Sequence, residues 1–186
     1  MPRITFITGP AYSGKSEVIH NRLSHVDDVL YIACALYPHP SELFNRRVQK
    51  LKSMRNKNWT TAEILKNENT LHKIKLSNKY STVVLDSLSL WLGYQINLGI
   101  KKFNIEELYD HILKESQYLW KDLTTIAKDI FILSTEVGFC PPGSHELENL
   151  YRMLLADINK DYSNSSDSTE IIILGKSEAI FKKSAS

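Results

Sequence analysis

A chain of 186 residues with a formal charge of +2, from 23 basic and 21 acidic side chains, can bury one sizeable core but is short for two domains. The charges are interspersed, so no electrostatic case exists for a nucleic-acid or membrane-surface partner. The two cysteines, Cys34 and Cys140, are widely separated without a C-x-x-C pair, which argues against a zinc site or a disulfide framework and for reduced thiols.

No cleavable signal precedes the first apolar run, and no apolar stretch approaches the roughly 18 residues of a membrane span. The expectation is a cytoplasmic protein whose residues 1–186 form a single phosphate-loop nucleotide-binding domain.

In chain order, the apolar run Ile4 to Ile7 leads into Gly9-Pro10-Ala11-Tyr12-Ser13-Gly14-Lys15-Ser16, and Glu17 to Leu23 reads as a helix. Strand, loop and helix are the proper context of the phosphate-loop pattern G-x-x-x-x-G-K-S. Gly9 and Gly14 permit backbone angles that let successive N–H groups turn inward around a polyphosphate, and the helix adds the positive end of its dipole. Lys15 reaches the β and γ phosphates as the catalytic point charge, and the Ser16 hydroxyl ligates Mg2+.

Val29 to Ala33 (VLYIA) reads as a buried strand, Pro40 to Met54 as a helix and Trp59 to Ala62 as a smaller strand. Thr82 to Leu85 (TVVL) is the next buried strand, and Asp86 follows at its carboxyl end, where ligands sit in open parallel sheets. Two roles fit that carboxylate and are compatible: holding Mg2+ through water, or capping the helix that starts near Leu88.

Leu88 to Leu98 and Ile105 to Ala127 read as helices and Ile130 to Leu133 (IFIL) as a strand. Glu136, just beyond it, is either a base or substrate ligand at the same sheet edge or a loop acid facing water. Glu146 to Tyr162 reads as a helix, the polar run Ser163 to Thr169 as a solvated loop, and Glu170 to Leu174 as a strand. Gly175-Lys176 can turn a last hairpin into Ala179 to Lys182. The fold class is therefore α/β of the phosphate-loop NTPase type, a mostly parallel sheet with helices on both faces and an antiparallel C-terminal edge strand. His20, His25, His39, His72 and His111 default to surface or capping roles.

An ordered set of motifs carries a family resemblance: FITGPAYSGKS, VLYIA, RRVQ followed by NWTTAE, VVLDSLSLWL, LSTEVG and YRMLLADIN. Together they resemble the bifunctional adenosylcobinamide kinase / adenosylcobinamide-phosphate guanylyltransferase family of cobalamin biosynthesis. Such enzymes phosphorylate the aminopropanol hydroxyl of adenosylcobinamide with ATP or GTP, then transfer GMP from GTP onto that phosphate. The resemblance implies a nucleotide site of Gly9 through Ser16, of Cys34, Ala35 and Leu36, of Ser53, Met54, Arg55 and Asn56, and of Glu63 and Asp86. It further implies Mg2+, a corrinoid substrate and a homotrimer.

The chain departs from that family at three places. The family's R-I-x-x-H pattern supplies the histidine that is guanylylated, and the matching residues here are Arg47-Val48-Gln49-Lys50-Leu51, with Leu51 at the nucleophile position. Met54 stands where a glycine is usual, and the family's N-R-x-x-R cluster is matched by His145, Glu146 and Asn149. The reading is a kinase in which guanylyl transfer has been relaxed or replaced, with His39 and His145 as candidates for a displaced nucleophile. A nucleotide-binding module without transfer and an unrelated kinase sharing only the phosphate loop are the alternatives.

Overall fold

The computed structural model describes residues 2–34, 40–63, 80–139 and 143–183. The chain runs β1 (Arg3–Thr8), α1 (Lys15–Arg22), β2 (Val29–Ala33), α2 (Glu42–Met54), β3 (Thr60–Glu63), β4 (Thr82–Asp86), α3 (Leu88–Gly99), α4 (Ile105–Leu123), β5 (Asp129–Leu133), α5 (Glu146–Ser165), β6 (Ser168–Ile173) and β7 (Lys176–Lys182). Among the described residues the strands form one sheet of seven in the order β3-β2-β4-β5-β1-β6-β7. Pairing is parallel from β3 to β6, and β7 joins β6 antiparallel.

Side chains of a strand alternate between the two faces of a sheet, and here both faces are covered. Ile4 and Phe6, Leu30 and Ile32, Val83 and Leu85, and Ile130 and Ile132 all enter one core. That core is closed by Leu88, Trp91 and Leu92 of α3, Leu108 and Ile112 of α4, and Leu154 and Ile158 of α5. The intervening residues Ile7, Tyr31, Val84 and Leu133 enter a smaller core with Ile19 and Leu23 of the α1 region and Trp59. The sheet therefore has a thick side of three long helices and a thin side built on the eight residues of α1.

Capping explains where α4 begins. Asn104 accepts a hydrogen bond from the Glu107 N–H at 2.9 Å while Glu107 accepts one from the Asn104 N–H at 3.1 Å, a capping box that starts α4. The helix ends at Leu123, short of the expected Ala127, because the Thr124 and Thr125 hydroxyls donate to the Lys121 and Asp122 carbonyls at 3.0 and 2.8 Å.

Three other expectations are corrected. Trp59 does not open β3; it is buried on the thin side with its indole N–H on the Val26 carbonyl at 2.7 Å, and the strand begins at Thr60. Ser163 to Thr169 is not a solvated loop, because α5 continues to Ser165 and β6 starts at Ser168. Its polar groups find partners within the protein instead: the fully buried Ser166 hydroxyl donates to the Tyr162 carbonyl at 2.7 Å, and Asp167 accepts from the Ile4 N–H of β1 at 2.7 Å. His39 and His72 lie outside the described residues, as does Cys140.

The third correction is His20, which is neither a surface nor a capping residue. It is 2% exposed, its ring 5.2 Å from that of Tyr31 and 5.6 Å from that of Trp59, and among the described residues neither ring nitrogen has a hydrogen-bond partner. Burial pushes its pKa from 6.5 down to about 4; Asp86 opposes the shift and Arg55 reinforces it. The fold thus prefers the neutral ring, so the stability it contributes is complete above pH 6.5, falls as pH drops through the interval and is gone near pH 4. The loss amounts to about 3 kcal/mol. His20→Leu is expected to flatten the urea-unfolding midpoint across that interval relative to the parent protein. An unchanged pH profile would show that His20 is not the group responsible.

Candidate active site

The loop between β1 and α1 takes its shape from two glycines. Gly9 has φ +146°, and a Cβ there would lie 2.2 Å from the Ile172 carbonyl oxygen; Gly14 has φ +94° and stands at the α1 N-cap. Because Gly14 has no side chain to cap with, no side-chain cap occupies the first-turn N–H groups of α1. Lys15 turns back over the loop, its ammonium donating to the Gly9 carbonyl at 2.8 Å and the Pro10 carbonyl at 2.7 Å. Burial lowers its pKa from 10.5 to about 8; Asp86 pulls the other way and Arg47 adds to the depression.

Asp86 is the meeting point of three elements. The Ser16 hydroxyl donates to its Oδ2 at 2.7 Å, and the Tyr31 hydroxyl donates to the same oxygen. The register that pairs Ala33 with Asp86 brings Tyr31, two residues earlier on β2, within reach from the thin side of the sheet. Tyr31 is fully buried, and burial together with the carboxylate keeps its phenol protonated, well above the ordinary tyrosine range. The N-cap of α3 is Ser87, whose hydroxyl pairs with that of Ser89 at 2.8 Å. The Asp86 carboxylate is thus engaged by the phosphate loop and β2, and the N-cap position of α3 belongs to Ser87 instead. A hydroxyl and a carboxylate 2.7 Å apart offer the hard oxygen donors that Mg2+ takes.

A cavity of about 200 Å³ opens beside these groups. Its polar side carries Lys15, Ser16, Asp86, Ser87, Ser89 and Thr135. The facing wall comes from α2, whose Phe44, Arg47, Val48 and Leu51 recur at helical spacing, from its C-cap Arg55 and from Glu63 at the end of β3. Arg55 also lies over the Tyr31 ring at 4.0 Å, and Glu63 accepts from Lys52 at 3.2 Å.

Of the residues anticipated from sequence, Ala11, Tyr12, Lys15, Ser16, Arg55, Glu63 and Asp86 line this cavity, and Gly9, Pro10, Ser13 and Gly14 complete the loop behind it. Cys34 turns its thiol into the thick-side core, while its backbone N–H donates to the Asp86 carbonyl at 2.8 Å. Ser53 is exposed on α2, bonded to the Lys50 carbonyl at 2.8 Å, and Met54 ends that helix away from the cavity lining. Asn56 is tied to the Ser24 carbonyl and Asp27 at 3.1 and 3.0 Å, in the loop before β2 and so at the opposite edge of the sheet. Ala35 and Leu36 lie outside the described residues. Glu136 donates its N–H to the Gly9 carbonyl at 3.0 Å, but its carboxylate accepts from the Gly138 N–H, and Thr135 rather than Glu136 lines the cavity.

The residues at the family's divergent positions separate in the same way. Leu51 faces the cavity, whereas Lys50 pairs with Glu17 at 3.0 Å on the exposed side of α2. His145, Glu146 and Asn149 cluster at the start of α5, where Asn149 brackets Gly143 at 3.1 and 3.2 Å; none of them lines the phosphate-loop cavity. Sequence reading passed over Ser87, Ser89 and Thr135 of the lining, and also Tyr31 and Arg47. A buried tyrosine in a strand needs a partner for its hydroxyl, and Arg47 precedes Leu51 by one helical turn, so both carried a signal.

The family model CobU, described as cobinamide kinase / cobinamide phosphate guanyltransferase, matches residues 5–180. No curated protein matches the chain. Among solved structures, the assembled ATPase EscN, determined with its central stalk EscO from the type III secretion system of enteropathogenic E. coli, superposes with a TM-score of 0.55 at 8% identity. The match covers 91% of this chain and 42% of that one, so this chain spans less than half of EscN, and the likeness is one of fold.

The hydroxyl of Tyr31 can be removed without disturbing its ring. Tyr31→Phe is expected to destabilise the protein by about 1–3 kcal/mol, the cost of a lost hydrogen bond to a carboxylate, read from urea unfolding. Unchanged stability would mean that the hydroxyl does not serve Asp86.

Proposed function

The chain belongs to the cobinamide kinase / cobinamide phosphate guanyltransferase family, and from that premise we propose that it keeps the kinase reaction and has lost guanylyl transfer. The family's role lies in cobalamin biosynthesis, with a nucleoside triphosphate and cobinamide as substrates. The observation that carries the proposal is the contrast across one cavity: Lys15, Ser16 and Asp86 on its polar side are complete, while the α2 wall presents Leu51 where the family has its nucleophilic histidine.

In this reading ATP or GTP binds with its phosphates in the loop Gly9 to Ser16, and the aminopropanol hydroxyl of adenosylcobinamide attacks the γ phosphorus. The bond from that phosphorus to the β,γ-bridging oxygen breaks and the nucleoside diphosphate leaves. Lys15 neutralises charge on the β and γ oxygens, and the loop N–H groups fix the chain of phosphates in line with the acceptor. A Mg2+ ion, for which Ser16 and Asp86 have the fitting donors, supplies further charge neutralisation when bound. Glu63, on the cavity wall, takes over the role first read for Glu136 and accepts the hydrogen bond and proton of the acceptor hydroxyl; its lining position supports that choice. The homotrimer and the single domain over residues 1–186 belong to the same proposal.

Leucine has no nucleophilic atom, and the Lys50 ammonium is held by Glu17 outside the cavity. With adenosylcobinamide present, γ-labelled nucleotide is therefore expected to label the corrinoid, whereas α-labelled GTP is expected to leave no acid-labile label on the protein. Absence of γ label on the corrinoid would overturn the kinase assignment. A covalent α label would overturn the loss of guanylyl transfer, with peptide mapping deciding among Lys50, His39 and His145.

A further inference from the structure

Arg47 has no task in the reaction as described, yet its surroundings are those of a ligand-binding group. It lines the cavity together with Lys15, Ser16 and Asp86, and its guanidinium lies 4.6 Å from the ring centroid of Tyr12, over the phosphate loop. The cations around it on α2 are paired: Arg46 with Glu42, Lys50 with Glu17 and Lys52 with Glu63. Among the described residues no carboxylate forms an ion pair with Arg47.

Two cations facing one partly buried cavity repel each other, and the proximity of Arg47 is one of the causes that depress the Lys15 pKa. An anion between them turns that repulsion into attraction for both. The cavity also fixes which part of a triphosphate this anion is, because Lys15, Ser16 and Asp86 are the groups that address its terminal end. On its other side Arg47 borders an open groove, with Tyr12, Phe44 and Leu51 shared between the two spaces. It thus stands between the phosphate loop and that groove. A planar fork of N–H donors suits two oxygens of a terminal phosphate better than an ammonium does.

We propose that Arg47 binds the terminal phosphate of the donor triphosphate opposite Lys15, as an arginine supplied in cis by α2. The proposal rests on the nucleotide-donor reading above and gives that site a third positively charged group. Binding is the direct test, because it needs no turnover. Dissociation constants are measured for guanosine and adenosine nucleotides, each as the diphosphate and as a non-hydrolysable triphosphate, with the parent protein, Arg47→Ala and Arg47→Lys. In Arg47→Ala the triphosphate is expected to bind about tenfold more weakly while the diphosphate changes less than about twofold. Arg47→Lys, which keeps the stem over Tyr12 and one charge, is expected to fall between. Equal losses for di- and triphosphate, or no loss for either, would overturn the assignment while leaving the donor site intact. A parent protein that binds neither nucleotide would overturn the donor reading and this assignment together.

Discussion

The carboxylate of Asp86 is the constraint on which the site depends. It ends β4, accepts from Ser16 at the start of α1 and from Tyr31 on β2, and so links the phosphate loop to two strands of the sheet. Hydrogen bonds to a charged group contribute roughly 1.5–3 kcal/mol each, more than most contacts at a loop edge. Their greater effect is geometric, because a carboxylate with two hydroxyl donors on one oxygen has a single orientation. The β2–β4 register that sets Ala33 beside Asp86 is in turn fixed by Leu30, Ile32, Val83 and Leu85, which share the thick-side core.

The thin side of the sheet needs support of another kind. Helix α1 has eight residues, and the C-terminal hairpin holds it in place. Glu170 of β6 receives a two-pronged contact from Arg22 at 3.0 and 2.7 Å and a third bond from Ser177 of β7 at 2.6 Å. At the hairpin turn the Gly175 N–H donates to the Ser13 carbonyl at 2.8 Å, inside the phosphate loop itself. Strand β6 of the same hairpin approaches so closely that Gly9 could not carry a Cβ without meeting the Ile172 carbonyl oxygen. The antiparallel edge strand thus serves the loop as a buttress, and the loop glycines answer to the hairpin packed against them.

Much of this was legible in the sequence because one type of force dominated. The buried strands VLYIA, TVVL and IFIL are apolar on both faces, and the GPAYSGKS loop has glycines where φ must be positive. Reading failed where polar residues satisfy one another locally. Ser163 to Thr169 has the composition of a loop, yet Ser163 bonds to Thr169 at 2.8 Å and Ser166 to Tyr162 at 2.7 Å, so helix and strand run almost into each other. His20 looked like an ordinary helix histidine because the aromatic walls that bury it, Tyr31 and Trp59, are distant in sequence. Asn56, named through the resemblance, and Glu136, named from its place just beyond β5, have side chains bonded to Ser24 and Asp27 and to the Gly138 N–H, and neither motif nor chain position encodes such loop contacts.

The central claim is that one cavity has kept the groups for transfer of the terminal phosphate and has lost the nucleophile for attack on the α phosphorus. The two chemistries release different products from the same donor: a nucleoside diphosphate for the first, pyrophosphate for the second. The decisive measurement is the ratio of these products released from GTP in the presence of Mg2+ and adenosylcobinamide. The account requires GDP to appear in step with GTP consumption and no pyrophosphate above the level of a Lys15→Ala control. Pyrophosphate formed in proportion to corrinoid consumed would contradict it, since that product requires attack on the α phosphorus by a group this cavity is argued to lack.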